Sequence, residues 1–418
     1  MASFSFGAGN ARKLARIPLY ALGRAATLII PRGRRWAFGC GAGVADGGLA
    51  VWTAARAHGI DGIWLTTDAA EAAEAERRGM RHAPKMSWRG FWATARARAI
   101  VVTHGLGDVN PYAVSGAVVA QLWHGIPLKR IGLDAPEMVR SSFLPSSELV
   151  RRLIAFLYRR SARRIDVLPA ASHLVRGRLE SAFGLPDGRI AVTGEPRVDA
   201  LSIDDAGTRE QRARALIAAA QPRLAEASRP VLYAPTWRDG EPDPAQPTAD
   251  EWRRIVDVLE RRDATLVVRS HRLGEGSYEP PFETERVVPL GSDLLADITP
   301  ALPAFAALVT DYSSLVYDSA LVPLPVLFLA PDVEEYAERR GFYGDYAEIA
   351  GEDVPRTWGQ LAPRLDALLS DDSEIEAARD RARRLSARVH DFRDGQNTQR
   401  ALRAILAKLP PTGKDRAE

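Results

Sequence analysis

The sequence predicts two doubly wound α/β domains, each built on a mainly parallel sheet, with a ligand-binding cleft between them. Three observations carry this. At 418 residues the chain exceeds what one ordinary core holds, so two domains of roughly 200 residues each follow. Short apolar, β-branched runs alternate with helical stretches along the whole chain, the pattern of strands covered on both faces. The histidines, serines and arginines suited to chemistry fall at the ends of those runs, where open α/β sheets bind ligands.

In the first half, strand-like runs cover residues 36–40, 60–67, 99–104, 118–123, 165–169 and 190–194, with helical patterns such as 68–78 between them. A polar break, SIDDAGTREQ at 202–211, follows. The second series has strands at 231–234, 265–269, 286–289, 307–310 and 326–329. Helices are expected at 209–227, 251–262 and 317–321 and within the charged 357–406 region. The domain division is therefore 1–205 and 206–410, and no repeat of solenoid period is visible.

Composition narrows the class. Hydrophobic residues make up 46% and charged residues 26%, the balance of a packed globular protein. The single cysteine, Cys40, cannot close an intrachain disulfide and offers no zinc cluster, which fits a reducing compartment. A formal net charge of +3 gives no argument for nucleic acid as a partner. Arginine supplies 51 of the basic residues and lysine five, so Lys129, inside a motif, stands out as a compact ammonium.

Two stretches invite a membrane test. Residues 11–35 are apolar with cationic flanks, but Pro18 and Arg24 interrupt them, so they neither span a bilayer nor read as a signal peptide. Residues 146–164, SSELVRRLIAFLYRRSARR, gather Leu149, Leu153, Ile154, Phe156 and Leu157 on one helical face with arginine flanks. Such a helix suits an anionic membrane interface or packs its apolar stripe on its own domain, and both readings stand.

The stretch QLWHGIPLKRIG, residues 121–132, ends a strand on His124, followed by Gly125, Pro127, Lys129 and Arg130. Its imidazole is a core filler, a metal ligand or a proton acceptor beside an anion. Other strand ends carry Thr236, Trp237 and Arg238, then Arg269, His271 and Arg272, then Asp311, Ser313 and Ser314. In VTDYSSLVYD a strand runs into a serine pair that opens a helix, so backbone N–H groups, hydroxyls and a helix dipole favour a diphosphate. Asp318, one turn onward, is placed for a ribose hydroxyl. No paired carboxylates compel a divalent metal, so no metal or other cofactor is expected and protein cations are assigned that charge. The piece FGCGAGVADGG spaces Gly39 and Gly41 like a dinucleotide fingerprint, yet Val44 takes the third place, which disfavours a nicotinamide enzyme and leaves tight turning as its account.

Taken together, QLWHGIPLKRIG, TGEPRVDAL at 193–201, VLYAPTWRD at 231–239 and VTDYSSLVYDSALVPLPVLFLAPDVEEYAERRGFY at 309–343 resemble the CDP-glycerol glycerophosphotransferases, the teichoic acid primases and polymerases. The resemblance implies a GT-B fold, with an acceptor- and membrane-facing first domain and a nucleotide-donor-binding second domain. It implies transfer of glycerol phosphate from a CDP-activated donor to a lipid-linked or polyol phosphate acceptor, releasing CMP, by a peripheral enzyme at the cytoplasmic membrane face. Relatives in teichoic acid or capsule synthesis use ribitol or sugar phosphates, and a nucleotide-sugar glycosyltransferase of the same fold is the competing reading. The resemblance makes His124 and His271 catalytic, with His124 the general base, and gives donor contacts to the serine pair. Lys129, Thr236, Arg238, Arg269, Asp311 and Asp318 complete the expected donor site. Two departures stand out: ADGGLAVW lacks the family's polar pair near Asp46, and Arg272 replaces a common proline.

Overall fold

The computed structural model describes residues 17–135, 147–236, 238, 245–269 and 278–411. The chain divides into two units, one of residues 1–124, 131–199 and 396–418, the other of residues 125–130 and 200–395. His271, Arg272 and Trp237 lie outside the described residues.

The first unit holds β1 (Trp36–Gly39), β2 (Gly62–Thr66), β3 (His82–Pro84), β4 (Ala99–Val102) and β5 (Val118–Gln121). They form one parallel sheet in the order β3-β2-β1-β4-β5. Alternation along β1 sends Trp36 and Phe38 into one core and Ala37 into the other, so both faces are dry. The first of those cores is aromatic: Phe38 meets Trp52 edge-on at 4.9 Å and Trp52 meets Trp64 edge-on at 5.9 Å. Each such pair adds roughly 0.5–1.5 kcal/mol beyond area burial. The edge strand β3 has no counterpart among the sequence expectations, because three residues reading HAP carry no apolar run. β6 (Leu168–Ala170) and β7 (Ile190–Val192) pair in parallel and join β5 through the bridge Ala120 to Val167.

The last helix, Asn397–Ala407, clusters with the first unit, whereas the sequence reading runs the second domain to 410. Leu402 and Ile405 enter the core of β1. Asp199 accepts hydrogen bonds from the backbone N–H of Asn397 at 3.0 Å and Thr398 at 2.8 Å, satisfying donors the helix start leaves open. Gly194 is required beside it, since its φ is +76° and a Cβ there would lie 2.0 Å from Asn397 Oδ1.

The second unit repeats the plan with β8 (Arg229–Ala234), β9 (Ala264–Val268), β10 (Val287–Pro289), β11 (Ala307–Thr310) and β12 (Val326–Phe328), parallel in the order β10-β9-β8-β11-β12. Helix Ala249–Arg261 shows why these residues fold so: Thr248 and Glu251 form a reciprocal capping box, and Trp252, Ile255 and Leu259 fall on one buried stripe. In both units the chain steps outward from its first strand, then returns to the other side of it. That reversal opens a crevice beyond β1 and β4, and another beyond β8 and β11.

Candidate functional site

In the first unit, four loops meet beyond the carboxyl ends of β1, β4, β5 and β7. His124 sits between two left-handed residues, Trp123 at φ +64° and Gly125 at φ +129°. A tryptophan there costs of order 1–3 kcal/mol, a cost that persists only where the surroundings over-determine it. Trp123 is held edge-on against Phe183 at 5.1 Å. The imidazole of His124 stacks on that of His104, ring centroids 4.4 Å apart and 5° from parallel.

His104 follows β4 at the chain reversal and is the neighbour of His124 to which no motif in the sequence points. Thr103 Oγ1 lies 2.8 Å from its Nδ1, and Asp108 Oδ2 accepts from the N–H of Thr103 at 3.0 Å and of His104 at 2.8 Å. Burial holds the His104 imidazole below its ordinary pKa, with Asp108 and Asp46 opposing. The glycines of FGCGAG explain themselves here. A Cβ on Gly41 would lie 2.7 Å from the His104 ring, and one on Gly39 would lie 2.1 Å from the carbonyl of Asp108. Cys40 beside them is buried and its thiol pushed up, first by that burial, so it is no nucleophile.

Asp46 adopts φ +59° at the start of helix Asp46–Ala57, and its carboxylate lies 3.3 Å from Arg197 Nε. The missing polar pair of ADGG is thus answered by an arginine from TGEPRVDAL. FGCGAGVADGG, QLWHG and TGEPRVD converge on one spot.

In the second unit the reversal is built around Arg238. It grips Asp332 with two parallel bonds of 2.9 Å, donates to Asp311 Oδ2 at 3.0 Å and to the Thr236 carbonyl at 2.6 Å, and lies 4.8 Å over the rings of both Tyr312 and Tyr336. Asp311 ties the two central loops together, accepting from Thr236 N at 2.8 Å and Tyr312 N at 2.6 Å. Burial pushes the carboxyl of Asp311 up while Arg238 opposes. Burial also acts upward on Asp332, but the bonds and charge of Arg238 outweigh it and hold Asp332 below the usual range.

These facts revise several expected contacts. Arg238 and Asp311, 4% and 2% exposed, bond to each other and to the backbone of Thr236 and Tyr312. Arg269 likewise gives its guanidinium to the carbonyls of Leu290, Leu295 and Ala296 at 3.3, 2.8 and 3.3 Å. Asp318 is 1% exposed and presents no open carboxylate for a ribose. The helix after the serine pair spans Leu315–Ser319 and is too short for a strong dipole. Ser313 Oγ accepts from Leu315 N at 3.2 Å, while Ser314 makes no cap bond with its hydroxyl. Thr236 Oγ1 is buried at the loop end, and its hydroxyl bears on the Asp311 carboxylate, opposing the effect of burial there.

Lys129 belongs to this unit too. Its backbone bridges Phe342 in antiparallel fashion, and its Nζ donates to the Tyr336 hydroxyl at 3.2 Å, leaving further N–H groups for an anion.

The family profile described as CDP-Glycerol:Poly(glycerophosphate) glycerophosphotransferase matches residues 48–407. A teichoic acid glycerol-phosphate transferase of Staphylococcus aureus is 28% identical over 331 residues, covering 77% of this chain and 79% of that protein. A teichoic acid poly(glycerol phosphate) polymerase of Bacillus subtilis is 26% identical over 307 residues, covering 72% of this chain and 39% of that protein, so the chain matches well under half of that relative. A solved structure of the wall teichoic acid polymerase TagF superposes with a TM-score of 0.74 at 19% identity, covering 98% of both chains, which establishes the two-unit GT-B type of fold. With its matching profile running from the first glycine-rich turn to the final helix, the chain belongs to the CDP-glycerol:poly(glycerophosphate) glycerophosphotransferase family.

Proposed function

We propose that this protein transfers glycerol phosphate, or a closely related polyol phosphate, from a CDP-activated donor to an acceptor hydroxyl in the synthesis of a teichoic-acid-like surface polymer. The observation that carries the reading is the His124 ring, bracketed by left-handed backbone and stacked on His104, in a chain of this family. Two imidazolium charges 4.4 Å apart would repel by roughly 4 kcal/mol at an effective dielectric of about 20, so the pair carries at most one proton near neutrality. His104, kept neutral by burial, leaves His124 free to take it.

The step follows. The acceptor hydroxyl gives its proton to the His124 imidazole as its oxygen bonds to the donor's β-phosphorus, and the bond from that phosphorus to the CMP oxygen breaks with its electron pair. Donor retention is assigned to the second unit: Ser313, Ser314 and Lys129 are the groups with donors to spare, with Thr236 beside them at the loop end. Protein cations and hydroxyls are given the charge-stabilising role without a metal cofactor.

Seating on a membrane surface is part of the proposal. Among the described residues no helix is long and apolar enough to cross a membrane. Helix Ile17–Ile29 nevertheless exposes Leu22, Leu28 and Ile29, and helix Glu148–Ala162 exposes Leu149, Leu153 and Phe156. Only Ile154 of the expected stripe turns inward, with Tyr158 and Ala162. The guanidinium of Arg164, just past the second helix, is disfavoured first by burial and then by the charges of Arg24 in the first helix and Arg160 in the second. Apolar side chains ringed by arginines suit an anionic bilayer interface that presents a lipid-linked acceptor.

The test is incubation of pure protein with CDP-glycerol, CDP-ribitol and UDP-sugars over lipid-linked and polyol phosphate acceptors, with and without a chelator. CMP release from a CDP-polyol, unchanged by the chelator, is expected. UDP release would put the chain among nucleotide-sugar transferases.

A further inference from the structure

A cavity of about 320 Å³ opens in the second unit, on the side of β12, the edge strand of its sheet. Its floor is apolar, formed by Val316, Phe328, Ile349 and Leu385, and its rim carries Arg381, Arg384 and Arg388. The arginines stand at i, i+3 and i+7 of helix Asp372–Val389, one face of it. The other face of the same helix treats arginine differently: Arg383 pairs with both Glu376 and Asp380 at 2.6 Å. On the cavity side, Glu348 is the one acid of the lining, 2.7 Å from Arg388, and among the described residues Arg381 and Arg384 have no ion-pair partner. Three guanidiniums against one carboxylate over a dry floor is the complement of a molecule with an anionic head and a short apolar body.

We propose that this cavity binds an amphiphilic anion, a phosphate monoester or carboxylate bearing an aliphatic or prenyl-like chain, with the chain on the Phe328 floor and the head between Arg381 and Arg384. The proposal stands apart from the transfer reaction, because none of these side chains belongs to the site described above. The cavity does share walls with it: Val316 lies in the helix that follows the serine pair, and Phe328 packs edge-on at 5.9 Å against Tyr346, whose hydroxyl donates to the Asp311 carbonyl at 3.1 Å.

Calorimetric titration of the full chain with monomeric octyl phosphate tests it, with octyl glucoside and inorganic phosphate as the tail-only and head-only probes. Octyl phosphate is expected to bind about tenfold or more tightly than either probe, the margin of a charge-assisted contact added to apolar burial. The double variant Arg381→Ala/Arg384→Ala, both exposed side chains, should lose that margin with unchanged thermal unfolding. Ala382→Met, which fills the floor, should weaken octyl phosphate and spare inorganic phosphate. Octyl phosphate binding no better than octyl glucoside, or binding equally to the double variant, overturns the proposal. Adsorption to phosphatidylglycerol vesicles without uptake of the monomer overturns it as well, in favour of surface attraction.

Discussion

The two units carry the same five-stranded plan, β3-β2-β1-β4-β5 and β10-β9-β8-β11-β12, yet their reversals are furnished in opposite ways. Beyond β4, a carboxylate, Asp108, fixes the backbone so that imidazoles stack: His104 on His124. Beyond β11, a carboxylate at the corresponding turn, Asp311, joins with Arg238 in a buried rivet, and the groups assigned to face a ligand are the serine hydroxyls and the Lys129 ammonium. The contrast teaches that strand order fixes where chemistry happens while the first few residues past the strands fix which chemistry. One reversal suits moving a proton and the other suits holding an anion.

The sharpest way to break that division is His124→Ala. Turnover should fall by roughly 10²- to 10⁴-fold while the donor dissociation constant stays near that of the parent, because a general base acts in the transition state and the proposal assigns donor retention to the other unit. Normal turnover in that variant would remove proton transfer from the first unit altogether. Next in size is Arg238→Met. The substitution keeps an unbranched apolar stem but removes the guanidinium that lies over Tyr312 and Tyr336 and strands the buried Asp311, so unfolding free energy should drop by about 3–5 kcal/mol in a denaturant titration. Unchanged stability would mean that the rivet is not structural. Smaller again is Ser313→Ala combined with Ser314→Ala, expected to weaken the donor about tenfold by calorimetry with little effect on folding. An unaltered dissociation constant would defeat the anion-holding half of the comparison.

Much of this was legible in the residues. The strand at 307–310 appears as expected, as do those near 36, 99, 118 and 231, because buried parallel strands write themselves as continuous apolar runs. The glycine-rich turn is half legible: tight turning is expected there, but what demands Gly41, the His104 ring against it, is a tertiary contact. His104 escaped notice since it closes the apolar run 99–104 with no motif around it. Arg238 and Arg269 are legible by type but not by partner, for sequence shows a cation near a strand end and not which carbonyls and carboxylates it bonds. The return of helix Asn397–Ala407 could not be read from charge, because its signal is the long-range bond from Asp199.

The smallest expected effect probes the imidazole pair itself, through His104→Phe, which keeps an aromatic ring on His124 and removes the second titrating group. His104 is faced by Asp108 from its own loop, by Asp46 from the glycine-rich turn, by Arg197 from the loop after β7 and by the stacked ring of His124; burial nonetheless wins and holds its folded pKa below the ordinary value. In the unfolded chain the same imidazole binds a proton at about pH 6.5, so on acidification below that point the unfolded state gains protons the folded state refuses, and stability falls with falling pH. The variant lacks this term. Its loss of melting temperature between about pH 7.5 and about pH 5.5 should therefore be smaller than the parent's, and its turnover should keep the parent's alkaline plateau, since His124 remains. If the parent and the variant lose stability equally over that range, His104 titrates normally in the folded protein and the neutral-partner account of the stacked rings fails.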